Sequence, residues 1–193
     1  IAADPSSGGS KYVPPALRAK LLAASSSDDA KKRAERLRLE KQIKGLLNRL
    51  AESNMHSIVS QLEDLYMSNS RNVMNECLSQ LYASSLIGPV MTPERLLLEH
   101  CMLIGILHAN VGVEVGATIL QTFVRKFHDL YRATDLDDEN ESKELDNYVA
   151  FISHLLTFKV VDVVLLFDIL NMLVDSFRPK DVELILGALK AIG

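Results

Sequence analysis

Two cysteines and five histidines are the side chains of this sequence best suited to nucleophilic or metal chemistry. Cys77 and Cys101 fall on apolar helical faces, which is typical of buried structural thiols. His100 and His108 are about two helical turns apart, whereas a zinc-binding helix places its histidines at i and i+4 with a glutamate between them. A nucleophile, a base and an orienting acid share no local signature. The sequence therefore predicts neither a catalytic centre nor a metal site.

The densest acidic segment spans residues 135–146, with seven acids and one base. Such a cluster of carboxylates can hold a cation. The segment lacks the glycine and the ligand spacing of a calcium-binding loop. We therefore interpret it as a solvated acidic loop.

Positive charge is concentrated in residues 31–49, which carry eight basic side chains and two acids although the whole chain has a net charge of −4. This density suits contacts with RNA phosphates, and Arg36, Lys41 and Lys44 are the candidate RNA-binding residues. The absence of interleaved aromatic residues gives no indication of base stacking. The same face suits an acidic protein equally well, and a solvated polar face is the alternative interpretation.

Composition indicates a helical protein, since glycine and proline are scarce among 193 residues of which 48% are apolar. Two widely spaced cysteines argue against a disulfide framework and suit a reducing compartment. An apolar run of the roughly 20 residues that a membrane span needs is absent, and we see no signal peptide. Because the chain begins at Ile1 and ends on a helical pattern, we expect it to be a fragment of a longer protein.

Helical periodicity begins near Asp28 and continues to the end of the chain. Residues 1–27 are expected to form a disordered or extended segment, and residues 28–193 a single helical domain. The valines of residues 160–177 resemble a buried strand, but a stretch of this length without a turn signal favours a helix. Eight helices result, paired over about residues 28–68, 70–111, 113–157 and 160–192. A period of about forty residues is typical of HEAT or armadillo repeats.

Several stretches resemble one known domain family. GLLNRLAESNMHSIVSQLEDLY (residues 45–66) is similar to the opening helix pair of the middle domain of eukaryotic initiation factor 4G. YVPPALR (residues 12–18) resembles the segment that precedes this domain in spliceosomal and nucleolar relatives. The segments that look most like the nucleolar branch are residues 95–131, 158–170 and 181–193.

The resemblance implies an all-α, HEAT-type solenoid of about four to five antiparallel helix pairs. It implies a scaffold without enzymatic activity or cofactor, which binds a DEAD-box RNA helicase of the initiation factor 4A-III type. The expected setting is the nucleolus, on a pre-ribosomal particle, during maturation of the small ribosomal subunit. We expect no membrane association and no small-molecule substrate. A spliceosomal helicase-binding factor of the same fold and an RNA-binding solenoid remain the alternatives.

The same family places its helicase contacts on loop edges, where early repeats meet one helicase lobe and later repeats the other. By this resemblance the early edge corresponds to Asn48, Arg49, Glu52 and Asn54, joined by Tyr12 from the preceding segment. The later edge corresponds to Arg178, Lys180 and Asp181. For both groups, helix capping and ordinary solvated loops are the alternative interpretation.

Overall fold

The computed structural model describes the backbone of residues 15–134 and 142–193, and the side chains of residues 29–134 and 142–193. Eight α-helices and one short 3-10 turn, Glu52–Asn54, account for most of these residues. The helices are α1 (Pro15–Leu47), α2 (Met55–Ser68), α3 (Arg71–Leu86), α4 (Glu94–Asn110), α5 (Val113–Ala133), α6 (Glu144–Thr157), α7 (Val163–Ser176) and α8 (Pro179–Ile192). The all-α class is confirmed for this part of the chain, and the valine-rich stretch is helical, as its length predicted.

Helix α1 begins at Pro15, well before the start expected near Asp28. Residues 15–27 are therefore helical, and the prediction of an extended segment is wrong for them. Proline is favoured at the first position of a helix, and the alanines, leucines, arginine and lysine that follow it are good helix formers. Residues 1–14 lie outside the described residues, and the domain boundary at residue 28 stays a prediction.

The chain divides into two compact units, and the division falls inside α1 after Arg38. In the first unit, the described side chains of residues 29–38 are exposed, apart from a half-buried Arg36. The second unit, residues 39–193, forms a two-layered stack. Helices α2, α4, α6 and α8 follow one another in one layer, and α3 packs on α5 in the other. This layering is that of a HEAT-type solenoid, in which each helix pair buries its apolar faces against its neighbours.

Aromatic rings hold the middle of this second unit together. Phe123 of α5 stacks on Phe151 of α6, with 4.1 Å between ring centroids. Tyr82 of α3 contacts Phe151 and also meets the ring of His100 edge-on at 5.4 Å. All three aromatic side chains are fully buried. Such pairs add to the stabilisation that burial of their area already provides, so four helices share one anchor.

Both cysteines are buried thiols outside any disulfide, as their position on apolar faces predicted. Cys101 donates a weak hydrogen bond to the carbonyl oxygen of Phe151, with a sulfur–oxygen distance of 3.7 Å. Burial raises the pKa of the Cys101 thiol well above its usual range. The thiol therefore stays protonated and unreactive at neutral pH.

Burial also acts on the histidines of the core. It lowers the pKa of His100 to about 4, against a smaller opposing effect of Glu99. Burial also lowers the pKa of His154. Because the unfolded chain binds a proton near pH 6.5, acidification favours unfolding. The stabilisation from neutral His100 is complete above that pH and is lost as the pH falls from about 6.5 to about 4.

We predict that His100→Phe weakens this acid sensitivity, because phenylalanine keeps the edge-on contact with Tyr82 but cannot titrate. Chemical denaturation at pH 7 and pH 4 measures the effect. The free energy of unfolding of the wild type should fall by roughly 3 kcal/mol more than that of the variant over this interval. Equal losses in the two proteins would contradict the assignment of His100 as an acid-sensitive group.

Gly116 marks a close approach between the first turn of α5 and its surroundings. A Cβ at this position would lie 2.5 Å from Nδ1 of His108 and 2.5 Å from Cγ1 of Val160. Gly112, just before the helix, takes a φ of 151°. Gly116 therefore serves close packing, and Gly112 allows the chain to turn between α4 and α5.

We predict that Gly116→Ala lowers the free energy of unfolding by about 1–3 kcal/mol, because the added methyl group overpacks this junction. Gly187→Ala in α8 is the matched control. Outside its own helix, no atom lies within 4 Å of the position that a Cβ on Gly187 would take. Alanine there should raise stability by up to about 1 kcal/mol, from helix propensity alone. Urea denaturation of both variants checks the pair, and similar effects would refute the packing argument.

Candidate partner-binding edge

Asn54 shapes the turn between α1 and α2. Its side-chain oxygen accepts a hydrogen bond from the backbone N–H of Ala51 at 2.9 Å, and its side-chain nitrogen donates to the carbonyl of Arg49 at 2.6 Å. The side chain makes no capping bond to α2, although the residue occupies the N-cap position. Asn54 is therefore a residue that holds the shape of the turn.

The other three predicted residues of this early turn are exposed, namely Asn48, Arg49 and Glu52. The guanidinium Nε of Arg49 donates to the carbonyl of Gly45 at 3.0 Å, so the side chain is partly oriented. The backbone N–H of Glu52 faces Oε1 of Glu99 in α4 at 3.4 Å. The same carboxylate oxygen pairs with the exposed Arg95 at 3.1 Å. This brings the early turn against the first two turns of α4.

Asn147 joins the next two elements along the edge. The side chain is fully buried in the first turn of α6. Its amide nitrogen donates to the carbonyls of Gly88 and Val90, at 3.0 and 2.9 Å. Its oxygen accepts from the backbone N–H of Thr92 at 2.8 Å. One side chain therefore ties three backbone groups of the α3–α4 loop to the start of α6.

Thr92 and Pro93 have the residue types of a helix cap and of a first helical residue, but neither occupies that position in α4. Helix α4 begins at Glu94, and Pro93 occupies the N-cap position. The Thr92 hydroxyl donates instead to the carbonyl of Leu86 at 2.6 Å. Tertiary contacts have thus taken both polar groups of Thr92 away from the helix end.

At the start of α8, Lys180 and Glu183 belong to a chain of ion pairs. Nζ of Lys180 lies 2.6 Å from Asp146 and 2.8 Å from Glu183, and Lys143 also pairs with Glu183. The two ammonium groups, that of Lys143 first, hold the pKa of Glu183 below its usual range. These pairs join the starts of α6 and α8.

Asp181 is fully buried and therefore does not reach a partner directly. Its carboxylate accepts hydrogen bonds from the Tyr131 hydroxyl at 2.9 Å and from both the backbone N–H and Nε of Arg178, at 3.0 and 3.1 Å. The Arg178 guanidinium also donates to the Tyr131 hydroxyl at 2.8 Å and lies over the tyrosine ring. Asp181 thus caps α8 and orients Arg178, whose side chain is 31% exposed.

The two predicted groups of contact residues consequently lie on one edge of the stack, which we call the loop edge. It runs from the α1–α2 turn, through the starts of α4 and α6, to the start of α8. Each step is made by a contact described above: Glu52 with Glu99, the α3–α4 loop with Asn147, and Asp146 with Lys180. Sequence reasoning missed Asn147 and Tyr131. Their only signal is a polar atom inside an otherwise apolar helical face.

The remaining candidates lie elsewhere. Tyr12 is outside the described residues. Arg36 belongs to the first unit, so it is not placed relative to the loop edge. Lys41 and Lys44 are exposed on α1 in the second unit. Lys41 and Arg49 line an open groove of about 450 Å³ together with Gln61 and Asp64 of α2.

The described residues form neither a metal-binding cluster nor a membrane-spanning helix. Within these ranges, His, Cys, Asp and Glu side chains form no group of three that is suited to a metal ion. No helix in the same ranges is long and apolar enough to cross a bilayer. The described polar clusters serve instead to shape and join loops.

An all-α stack with one hydrogen-bonded loop edge defines a helical-repeat scaffold of the HEAT type. The chain belongs to the MIF4G domain family, whose model matches residues 40–193. The resemblance to the middle domain of initiation factor 4G is thereby confirmed, and so is the HEAT-type fold class. The eight helices of the described residues make four consecutive pairs along the sequence, within the expected four to five.

Individual relatives show which branch of the family this chain resembles. Nucleolar MIF4G domain-containing protein 1 of Homo sapiens is 46% identical over 185 residues, which cover 96% of this chain and 20% of the relative. Its Drosophila melanogaster homolog is 44% identical over 191 residues, covering 98% and 22%. Suppressor of glycerol defect protein 1 of Schizosaccharomyces pombe is 34% identical over 178 residues, covering 92% and 22%. The chain spans about a fifth of the length of these relatives. The names of the first two confirm the expected nucleolar location.

We predict that Asn147→Ala lowers the free energy of unfolding by about 2–4 kcal/mol, because it removes three hydrogen bonds between a buried side chain and the α3–α4 loop, each of which contributes about 0.5–1.5 kcal/mol. Asn110→Ala is the control, since Asn110 is exposed and makes one side-chain hydrogen bond, to Glu63 at 2.9 Å. The control should change stability by no more than about 0.5 kcal/mol. Guanidinium denaturation measures the free energy of unfolding of both variants and of the wild type. A small effect at Asn147 would show that the loop edge does not depend on this amide.

Proposed function

We propose that this chain is a non-catalytic scaffold that binds a DEAD-box RNA helicase of the initiation factor 4A-III type during maturation of the small ribosomal subunit. Family membership and the nucleolar names of its relatives support this function. The observation that carries it is the loop edge, which joins both predicted contact groups through side-chain hydrogen bonds and ion pairs.

A scaffold of this kind acts on the balance between helicase conformations. A DEAD-box helicase has two lobes that close on ATP and RNA. An edge that contacts both lobes favours one relative orientation only if its contacts are stronger in that state. The exposed residues Asn48, Arg49 and Glu52 are suited to one lobe, and Arg178 to the other. Asp181 and Lys180 hold the start of α8 in position through their hydrogen bonds and ion pairs. Tyr12 stays a predicted contact.

The burial of the thiols supports a scaffold over a covalent catalyst. Cys77 and Cys101 are both buried, and Cys101 is protonated at neutral pH because its pKa is raised. A nucleophile needs access to substrate and a thiolate or an adjacent base. Burial keeps both residues from substrate, and the raised pKa of Cys101 also keeps that residue from forming a thiolate.

The spliceosomal alternative rests on a more distant relative. A pre-mRNA-splicing factor CWC22 homolog of Danio rerio is 24% identical over 188 residues and covers 96% of this chain. The nucleolar relatives share nearly twice that identity, which favours the ribosomal setting. Direct RNA contact through Lys41 and Lys44 stays a prediction that their exposure permits.

Binding to a purified helicase of this type tests the proposal. The double variant Asn48→Ala, Arg49→Glu should weaken binding at least about tenfold, or about 1.4 kcal/mol, and should abolish any change in the helicase ATPase rate. Both residues are exposed, so the melting temperature should remain unchanged. Arg125→Glu, on the exposed face of α5, is the matched charge reversal and should bind normally.

Two outcomes would contradict the proposal. One is the absence of binding between the wild-type chain and the helicase at micromolar concentrations. The other is equal affinity of the double variant and Arg125→Glu, which would place the interface away from the early turn.

A further inference from the structure

The chain passes from α7 to α8 through two residues, Phe177 and Arg178. Pro179 occupies the first position of α8. Because a proline disfavours helical backbone in the residue before it, Arg178 is extended, with a ψ of 163°. Phe177 therefore takes up the change of direction at the end of α7, and its backbone is left-handed, with a φ of 48° and a ψ of 39°.

Phenylalanine is an unfavourable residue type for this conformation. In left-handed backbone the Cβ atom crowds the following carbonyl oxygen, so helices that end in this way usually do so at glycine or asparagine. Among the described residues, one other non-glycine residue has a positive φ, namely Lys159 at 57°, which follows the end of α6 that lies away from the loop edge. Residues held in such conformations are concentrated at functional sites.

The Phe177 side chain also contributes little to the core. It is 66% exposed, and no other aromatic side chain of the described residues is exposed to that extent. It belongs neither to the buried hydrophobic core of these residues nor to the partly buried side chains packed against that core. The phenylalanine thus strains the backbone and places apolar surface in water, and the folded chain alone gives no reason for this residue type.

The backbone on both sides of this ring is fixed. The N–H of Phe177 donates to the carbonyl of Leu173 at 2.9 Å, which closes α7. The N–H of Arg178 donates to the buried carboxylate of Asp181 at 3.0 Å. Phe177 is consequently held at the α8 end of the loop edge, directly before Arg178, whose side chain is 31% exposed. Aromatic side chains and arginine are both enriched in protein interfaces.

We propose that Phe177 is the apolar anchor of the later contact group, and that its ring enters an apolar pocket on the helicase lobe that Arg178 meets. This inference rests on the proposed function and adds a residue to the predicted contacts. Stacking on an RNA base is disfavoured here, because the ammonium groups of Lys180 and Lys143, which could hold the phosphates, are already paired with carboxylates.

Phe177→Asn removes the ring and introduces a residue that tolerates left-handed backbone. The variant should bind a purified helicase of the initiation factor 4A-III type at least about tenfold more weakly, because burial of a phenylalanine ring contributes at least that factor to an affinity. Its melting temperature should stay the same or rise by up to about 4 °C, since strain is relieved and little buried area is lost. Calorimetric titration and thermal unfolding of the whole chain measure the two effects.

Lys159→Asn is the matched control, because Lys159 is exposed and is the second strained position. It should change the melting temperature as Phe177→Asn does and should bind like the wild type. Salt provides a further readout. The loss of affinity in Phe177→Asn should be the same at about 50 mM and about 500 mM salt, whereas the loss in the double variant Asn48→Ala, Arg49→Glu should shrink, because salt screens exposed charges.

The outcomes separate this inference from the function on which it rests. If the wild type does not bind the helicase, both fail. If the wild type binds and the double variant is weakened, but Phe177→Asn binds like Lys159→Asn, the scaffold function stands and the anchor is overturned. A melting temperature of Phe177→Asn well below that of the wild type would overturn it too, since the ring would then belong to the fold. Loss of oligouridylate binding in Phe177→Asn with unchanged helicase affinity would assign the ring to RNA instead.

Discussion

The buried side-chain amide of Asn147 fixes the α3–α4 loop to the start of α6, and the loop edge extends from it in both directions. It forms hydrogen bonds with two carbonyls and one N–H of this partly buried loop. Each such bond contributes about 0.5–1.5 kcal/mol, so the three together are a large fraction of the net stability of a domain. The backbone N–H of Lys143 adds a second link, to the carbonyl of Pro89 at 3.0 Å. The α3–α4 loop and the start of α6 therefore behave as one unit. Glu99 joins the early turn to this unit, and Asp146 joins the start of α8 to it.

Local patterns predicted what depends on neighbouring residues in the sequence. The apolar period found eight helices because the buried face of a helix repeats every 3.6 residues. The apolar period did not predict features that depend on residues distant in the sequence. Thr92 has the residue type of a helix cap, but its N–H is taken by Asn147, 55 residues away. Asp181 looked like a surface acid because the Tyr131 hydroxyl that covers it is 50 residues distant. The site was predictable as an edge, through the resemblance, but the contacts that hold it together were not.

The two ends of the loop edge differ in what they leave for a partner. At the early turn, Asn48, Arg49 and Glu52 are exposed. At the α8 end, the polar side chains are largely used within the protein, since Lys180 is 12% exposed and Asp181 is fully buried. Of these polar groups, the exposed part of the Arg178 side chain is what remains there for a partner.

This asymmetry has a consequence for recognition. Contacts between exposed charges weaken as salt rises, because ions screen them over about 10 Å. Contacts made by burying an exposed apolar side chain, such as that of Leu186 in α8, do not, since removal of apolar surface from water is insensitive to screening and is strengthened by excluded salts. A partner at the early turn is therefore selected mainly by charge and hydrogen bonding. The ion pairs of Lys143 and Lys180 act differently, because they join the starts of α6 and α8 within the protein.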